Sequence, residues 1–358
     1  MSGPDGARDA GAEVIAIDAA RRRSAATPRC AATTAAGRPC RNPAGASGYC
    51  RVHEPEGEEI PFAEPRRTAP GAPEADDGEG SFEDAVAAVL SFLRRRLTGD
   101  YEVDVFGFDP ELTEVLLLPL ARPLYRHYWR VRTIGIDNVP STGAALLVAN
   151  HSGTLPFDAI MTKVALLEDH PARRHLRELA ADLAMRLPFV GELARKTGNA
   201  LASPADAERL LAAGELVGVW PEGYKGIGKP YRERYRLQRF GRGGFVEMAL
   251  RTQTPIIPVA IVGAEEIYPL IGNAGVLARL LRLPYFPITP TFPWLGPLGA
   301  IPLPTRWTIE FGEPIDTSRY GPEAADDPMV VFELTDTVRD TIQAMLYRLL
   351  KQRRSLFF

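Results

Sequence analysis

Nowhere in these 358 residues is there an uninterrupted apolar run of the roughly 18 to 20 residues that a spanning helix requires. The N-terminus also lacks the apolar core of a secretion signal. Together these absences argue against a helical membrane anchor or an export signal and point to a cytoplasmic protein that meets membranes, if at all, through its surface. Cysteine is scarce, with three residues, all before position 51. An odd count gives no disulfide framework and fits a reducing compartment. Neither charge dominates: 42 Lys and Arg against 45 Asp and Glu leave a formal net charge of −3. That balance argues against bulk nucleic-acid affinity. No internal repeat is evident, and the oligomeric state is not readable.

Large apolar residues are few in 1–27, which is rich in Ala, Gly and Arg, and in 55–80, which is dense in Pro, Gly, Glu and Asp. Neither stretch can repay the entropy of ordering, so a disordered tail and a disordered linker are expected. Between them, in 28–54, stand Cys30, Cys40 and Cys50, each neighbouring pair separated by nine residues, with His53 after two more residues. Three thiolates and an imidazole match the tetrahedral ligand set of structural zinc, and the stretch resembles short zinc-binding modules. Reduced thiols in a disordered tail are the alternative.

The region 81–130 reads as helical. Phe82, Val86, Val89, Leu90, Leu93 and Leu97 fall on one face, Ser81 and Asp84 suggest a capping box, and Arg94 to Arg96 close the helix. Residues 111–132 mix Leu116 to Leu118 with Tyr125, Tyr128, Trp129, Arg126 and Arg130, a composition suited to an interface with lipid. Residues 81–97 are a second candidate for membrane contact, and 276–304, rich in Leu, Pro and Phe and containing Trp294, a third. Core packing is the competing reading for each. In 321–358, apolar Val331, Leu334, Val338, Ile342, Met345 and Leu349 mark a docking helix, followed by a basic and aromatic end.

The most informative feature lies in 131–320. Ala144 to Ala149 is a short, continuously apolar run led in by Pro140 and Gly143, which suits a central strand. It runs directly into His151 and Asp158, placing them at a strand's carboxyl end, where open sheets bind ligands. A second strand, 215–220, runs into Pro221-Glu222-Gly223, a tight turn with a carboxylate at the same sheet edge. A third spans 255–263, and the intervening segments are helical in pattern. The fold class implied is α/β, with a mostly parallel central sheet flanked by helices.

These motifs resemble the glycerolipid and lysophospholipid acyltransferases, which carry a His-(x)4-Asp and a Phe-Pro-Glu-Gly motif. The likeness covers roughly residues 131–316. It implies His151 as general base, Asp158 as its orienting carboxylate, and Pro221, Glu222 and Gly223 as shapers of the acceptor site, here led by Trp220. It also implies an acyl thioester, acyl-CoA or acyl carrier protein, as co-substrate, with no cofactor for catalysis. Two departures stand out. Six residues, not four, separate His151 from Asp158, so either Asp158 is brought back by a bulge and a helix starting near Pro156, or another carboxylate serves. The family's phosphate-clamping arginine is matched by Ser203, and Arg195 or Lys196 would have to substitute.

The residue types suit the chemistry independently. A hydroxyl attacks a thioester poorly unless a base takes its proton, which a placed histidine can do, and Gly153 could offer an N–H to the developing oxyanion. Ser152 reads as a turn residue. The run Lys225, Lys229, Arg232, Arg234, Arg236, Arg239 and Arg242, interleaved with Tyr224, Tyr231 and Tyr235, is either a solvated loop or a contact for donor or lipid phosphates. His127, His170 and His175 read as structural. The function expected is O-acyl transfer to a glycerolipid or lysophospholipid hydroxyl at a membrane surface. The alternatives are a neutral-lipid or non-lipid acceptor, or a zinc-dependent interaction protein that binds lipid without catalysis.

Overall fold

The computed structural model describes residues 82–357, apart from positions 100, 102, 153–154, 188, 242 and 282–284. Cys30, Cys40, Cys50 and His53, with the tail, the linker and Ser81, lie outside the described residues.

Among the described residues there are nine strands: β1 (Arg132–Ile134), β2 (Ala145–Ala149), β3 (Leu176–Ala180), β4 (Ala200–Leu201), β5 (Leu216–Val219), β6 (Ile256–Val262), β7 (Gly272–Asn273), β8 (Pro287–Ile288) and β9 (Thr308–Phe311). β7 and β8 form a separate ribbon, and the other seven form one sheet in the order β1-β9-β6-β2-β5-β3-β4. Every pairing in that sheet is parallel except β6 with β9. β2 is therefore central, with Leu146 opposite Val217 of β5 on one side and Ile256 of β6 on the other.

All five residues of β2 are buried, as a continuous apolar strand must be when helices cover both sheet faces. The alternation of its side chains divides the core in two. Leu146 and Val148 pack with α3 (Pro204–Ala212), α4 (Gly244–Arg251) and α5 (Pro328–Gln352). Ala145, Leu147 and Ala149 pack with α2 (Phe157–Glu168) and the helical stretch 110–128. Preceding these is α1 (Phe82–Thr98), where Phe92 is buried while Leu90, Leu93 and Leu97 are exposed.

Three expectations change or sharpen here. The stretch 111–132 belongs to the core: Tyr125 and Trp129 are 2% and 0% exposed, and Trp129 stacks on Trp307 at 4.8 Å. Pro119 and Pro123 have no N–H to give, and the ladder widens into two π segments, Thr113–Leu117 and Leu124–Tyr128. The C-terminal helix buries all six marked residues, Val331 to Leu349. Its basic and aromatic end is tied back at two points, while Leu356 and Phe357 stay exposed. Arg353 pairs with Glu266 at 2.6 Å, and Arg306 N–H donates to the Leu356 carbonyl at 2.9 Å. The third stretch keeps apolar side chains outside, with Val276, Leu280, Trp294 and Leu298 each exposed, as are Leu90, Leu93 and Leu97 of α1.

Candidate active site

Because β2, β3, β5 and β6 run parallel, their carboxyl ends share one edge, and His151 sits just past the end of β2. Asn150 extends the strand by one unit. Its side-chain amide donates to the Ile261 carbonyl at 3.0 Å and accepts from the Ile261 N–H at 2.7 Å, imitating a further rung of the β2–β6 ladder. The chain then turns, and α2 begins at Phe157.

That turn resolves the spacing. Asp158 is the second residue of α2, is fully buried, and presents Oδ2 to His151 Nδ1 at 2.7 Å. Its carboxylate also accepts from Ser152 N–H at 2.9 Å and from Ala159 N–H at 2.9 Å. A helix N-terminus favours a negative charge there. A carboxylate can only accept, so Nδ1 carries the hydrogen and Nε2 keeps its lone pair. Among the described residues no hydrogen bond to Nε2 is found, and the His151 side chain is 17% exposed. Burial alone would lower the imidazole pKa, but the Asp158 charge and hydrogen bond, helped by Glu222, outweigh it and raise the group above 6.5. Ser152 is buried, with its hydroxyl 3.4 Å from Asp158, as a turn residue would be. Gly153 lies outside the described residues.

The Pro-Glu-Gly turn follows β5. Gly223 has φ 54° and ψ −143°, a conformation open in practice only to glycine, and it opens the short helix Tyr224–Ile227. Glu222 turns inward to protein partners. It is buried, and Oε1 accepts from the His151 N–H at 3.0 Å while Oε2 accepts from the Gln238 N–H at 2.7 Å and pairs with Lys229 at 3.2 Å. Its carboxylate thus ties the end of β2 to the loop that leads to α4. Gly226 makes room for this: a Cβ there would lie 2.7 Å from Glu222 Cβ and 3.0 Å from His151 Cβ.

The other sequence candidates spread out. Pro221 is half-buried beside Glu222, and Tyr224 and Lys225 are exposed on the short helix, with burial and Asp182 raising the Tyr224 phenol. Arg239 is exposed and Arg242 lies outside the described residues. Arg234 stacks on Tyr231 at 4.3 Å, and Lys229 is buried among carboxylates rather than offered to an anion. Arg195 and Lys196 line a cleft of about 380 Å³ with Arg186, Leu187 and Phe189; His151 is not among its lining residues. Ser203 caps α3, accepting from the Asp206 N–H at 3.2 Å. His170 and His175 are structural in their contacts, to the Val139 carbonyl at 2.9 Å and to Glu114 at 3.0 Å. His127 is exposed.

Asn150 and Glu265 escaped the sequence reading. Glu265 follows directly on buried β6, as Glu222 follows β5, and that parallel was the available signal.

A model of the acyltransferase family matches residues 130–262, which hold both motifs. A protein of Mycobacterium tuberculosis, itself uncharacterised, is 59% identical over 273 residues, 76% of each chain. The chain belongs to the acyltransferase family. It is an enzyme that transfers acyl groups, related to lipid acyltransferases. The 1-acyl-sn-glycerol-3-phosphate acyltransferase alpha of Mus musculus is 29% identical over 170 residues, covering 46% of this chain and 56% of that protein. A Bos taurus protein described as a DGAT1/2-independent enzyme synthesizing storage lipids is 24% identical over 215 residues, 59% of this chain and 58% of its own.

Proposed function

We propose that the enzyme moves a fatty acyl group from an acyl thioester, acyl-CoA or acyl carrier protein, to a hydroxyl of a glycerolipid or lysophospholipid at a membrane surface. The observation that carries this is the His151–Asp158 pair, with Nε2 left without a hydrogen-bond partner among the described residues at the sheet edge. Nε2 takes the proton of the acceptor hydroxyl as its oxygen attacks the thioester carbonyl. The C–S bond breaks as the ester C–O bond forms, and the proton passes from the imidazolium to the departing thiolate. Asp158 fixes the tautomer and lowers the energy of the transient cation, while Glu222 holds the backbone from which the ring projects. No covalent acyl-enzyme is required. A protein that only binds lipid needs no imidazole held by a carboxylate, so the pairing of His151 with Asp158 speaks against the non-catalytic alternative.

The cleft with Arg186, Arg195 and Lys196 beside Leu187 and Phe189 supports an acceptor that carries a phosphate next to an acyl chain, with Arg195 the foremost cation because Lys196 pairs with Glu192 at 2.8 Å and Arg186 with Asp182 at 2.9 Å. Action at a membrane is supported by the exposed side chains Ile271, Val276, Leu280, Trp294, Leu298 and Ile301. Between Glu266 and Glu310 there is no acidic residue, whereas Arg279, Arg282 and Arg306 are present. Apolar side chains with cations and no carboxylates suit an anionic bilayer. No helix of the described residues is long and apolar enough to cross a membrane. The N-terminal cysteines and His53 retain their reading as a structural zinc module.

The test is thiol release from acyl-CoA and from acyl carrier protein, with lysophosphatidate, other lysophospholipids, monoacylglycerol or diacylglycerol in anionic vesicles. Release that depends on a lysophospholipid supports the proposal. Release dependent on diacylglycerol alone replaces the acceptor with a neutral lipid, and no release with any combination overturns it.

A further inference from the structure

Behind the imidazole, away from Asp158, lies a second buried charge cluster. Lys229 is 7% exposed, and its ammonium donates to Glu265 Oε1 at 3.2 Å and to the Arg236 carbonyl at 3.3 Å and forms an ion pair with Glu222 Oε2 at 3.2 Å. Glu265, at the carboxyl end of β6, is held in turn by the Tyr235 N–H at 2.9 Å. Glu222 is held by Lys229 and grips the His151 N–H with its other oxygen. The cluster therefore joins the ends of β2, β5 and β6 immediately beneath the base.

As a device for stability alone this is costly. Desolvating three charges consumes most of what their attraction returns, and an apolar filling of the same volume would do as well or better. What an apolar filling cannot do is hold a carboxylate, charged and immobile, on the peptide that carries His151. Among the described residues, Lys229 is the cation paired with Glu222.

We propose that Lys229 is a positioning residue for His151: by pinning the Glu222 carboxylate between strand ends, it fixes both the backbone that carries the imidazole and the charge behind it. This rests on His151 acting as the base. The charged groups facing the ring are Asp158 from α2 and Glu222 and Lys229 from the connection after β5, with Glu265 acting on it through Lys229. Glu222 favours the imidazolium and Lys229 opposes it.

Two variants probe the cluster from opposite sides. Glu222→Gln keeps an acceptor for the His151 N–H but removes the negative charge. Lys229→Met combined with Glu265→Gln removes the ammonium together with one partner, so that two buried carboxylates are not left facing each other. Folding of each is checked by thermal midpoint and circular dichroism, and Glu222→Gln, being isosteric, serves if the double variant does not fold. The expected result in each folded variant is a kcat at least about tenfold lower with KM changed by less than about threefold. The acidic limb of the pH profile of kcat/KM should move to lower pH in Glu222→Gln and to higher pH in the double variant. A folded variant with wild-type kcat, or with an acidic limb unmoved or displaced the other way, overturns the proposal. Its failure is separable from failure of the general reading, because the latter shows as an absence of acceptor-dependent transfer in the wild-type protein or as full activity in His151→Ala.

Discussion

Asp158→Asn is the substitution whose effect the geometry constrains most closely. The amide has the carboxylate's shape, so packing at this fully buried site is unchanged, but one of its two ends must now donate. If the amide oxygen takes the place of Oδ2 on His151 Nδ1 and Ser152 N–H, the new NH2 meets the Ala159 N–H, which is itself a donor. The larger loss is electrostatic. As Nε2 takes the acceptor's proton, the ring becomes a cation whose charge centre lies about 4 Å from that of Asp158, an attraction of about 4 kcal/mol at an effective dielectric constant of about 20. The ring keeps some contact with solvent and the asparagine dipole restores part of the attraction, so about half of that remains as a transition-state loss. With about 1 kcal/mol for the disturbed hydrogen bonds, the barrier rises by about 3 kcal/mol, or about two powers of ten in kcat/KM. The assay is the initial rate of thiol release from acyl-CoA with acceptor in vesicles, run from pH 5 to 9, a range that brackets about 6.5 for free imidazole. Asp158 raises the His151 pKa in the wild type. Its loss lowers it, so the acidic limb should move to lower pH even as the plateau falls. A kcat/KM within about threefold of wild type, with the limb unmoved, would refute the reasoning.

Three further predictions concern the surroundings. Gly226→Ala places a methyl 2.7 Å from Glu222 Cβ and 3.0 Å from His151 Cβ, so the turn must shift; kcat should fall by about ten- to a hundredfold with a smaller change in KM, measured by steady-state kinetics. Asn150→Ala leaves both backbone groups of Ile261 unpaired in a buried site and should cost about 2 to 4 kcal/mol in urea unfolding, with reduced activity in the folded protein. For Glu265, burial, partly opposed by Lys229, pushes the carboxyl up to about 7 from 4.5. The folded state then binds this proton more tightly than the unfolded state does, so its contribution to stability is full below pH 4.5 and is lost as pH rises through 7. Urea unfolding of wild type and Glu265→Gln at pH 5 and pH 8 should show the variant gaining relative stability at the higher pH.

How far the sequence reveals this molecule depends on whether a feature is local. The strands ending at Ala149, Val219 and Val262 were legible because continuous apolar runs bounded by Gly and Pro have few other solutions. The inner face of α5 was legible from its periodicity. β3 was not, because Arg177 and Glu178 interrupt it. Both are buried only because Asp104, 2.7 Å from Arg177, and Lys163, 3.3 Å from Glu178, arrive from elsewhere in the chain. β9 escaped for the same kind of reason: its antiparallel place beside β6 is set by tertiary pairing. At the site, His151 and Asp158 stood out by type and position, and a helix beginning after Pro156 closes their long separation. Glu222 was found, but its direction was not, since only the folded chain shows that both of its oxygens are occupied. Lys229 looked like part of a basic loop because its two carboxylate partners lie 7 and 36 residues away, beyond the reach of any local pattern.

The account stands on His151 as the base for acyl transfer. The direct test is release of free thiol from acyl-CoA or acyl carrier protein, with and without a lysophospholipid acceptor in anionic vesicles, by wild-type protein and by His151→Ala. The account predicts acceptor-dependent release by the wild type and none above background by the variant, with the variant's thermal midpoint and circular dichroism unchanged. Comparable acceptor-dependent release by both proteins would contradict it.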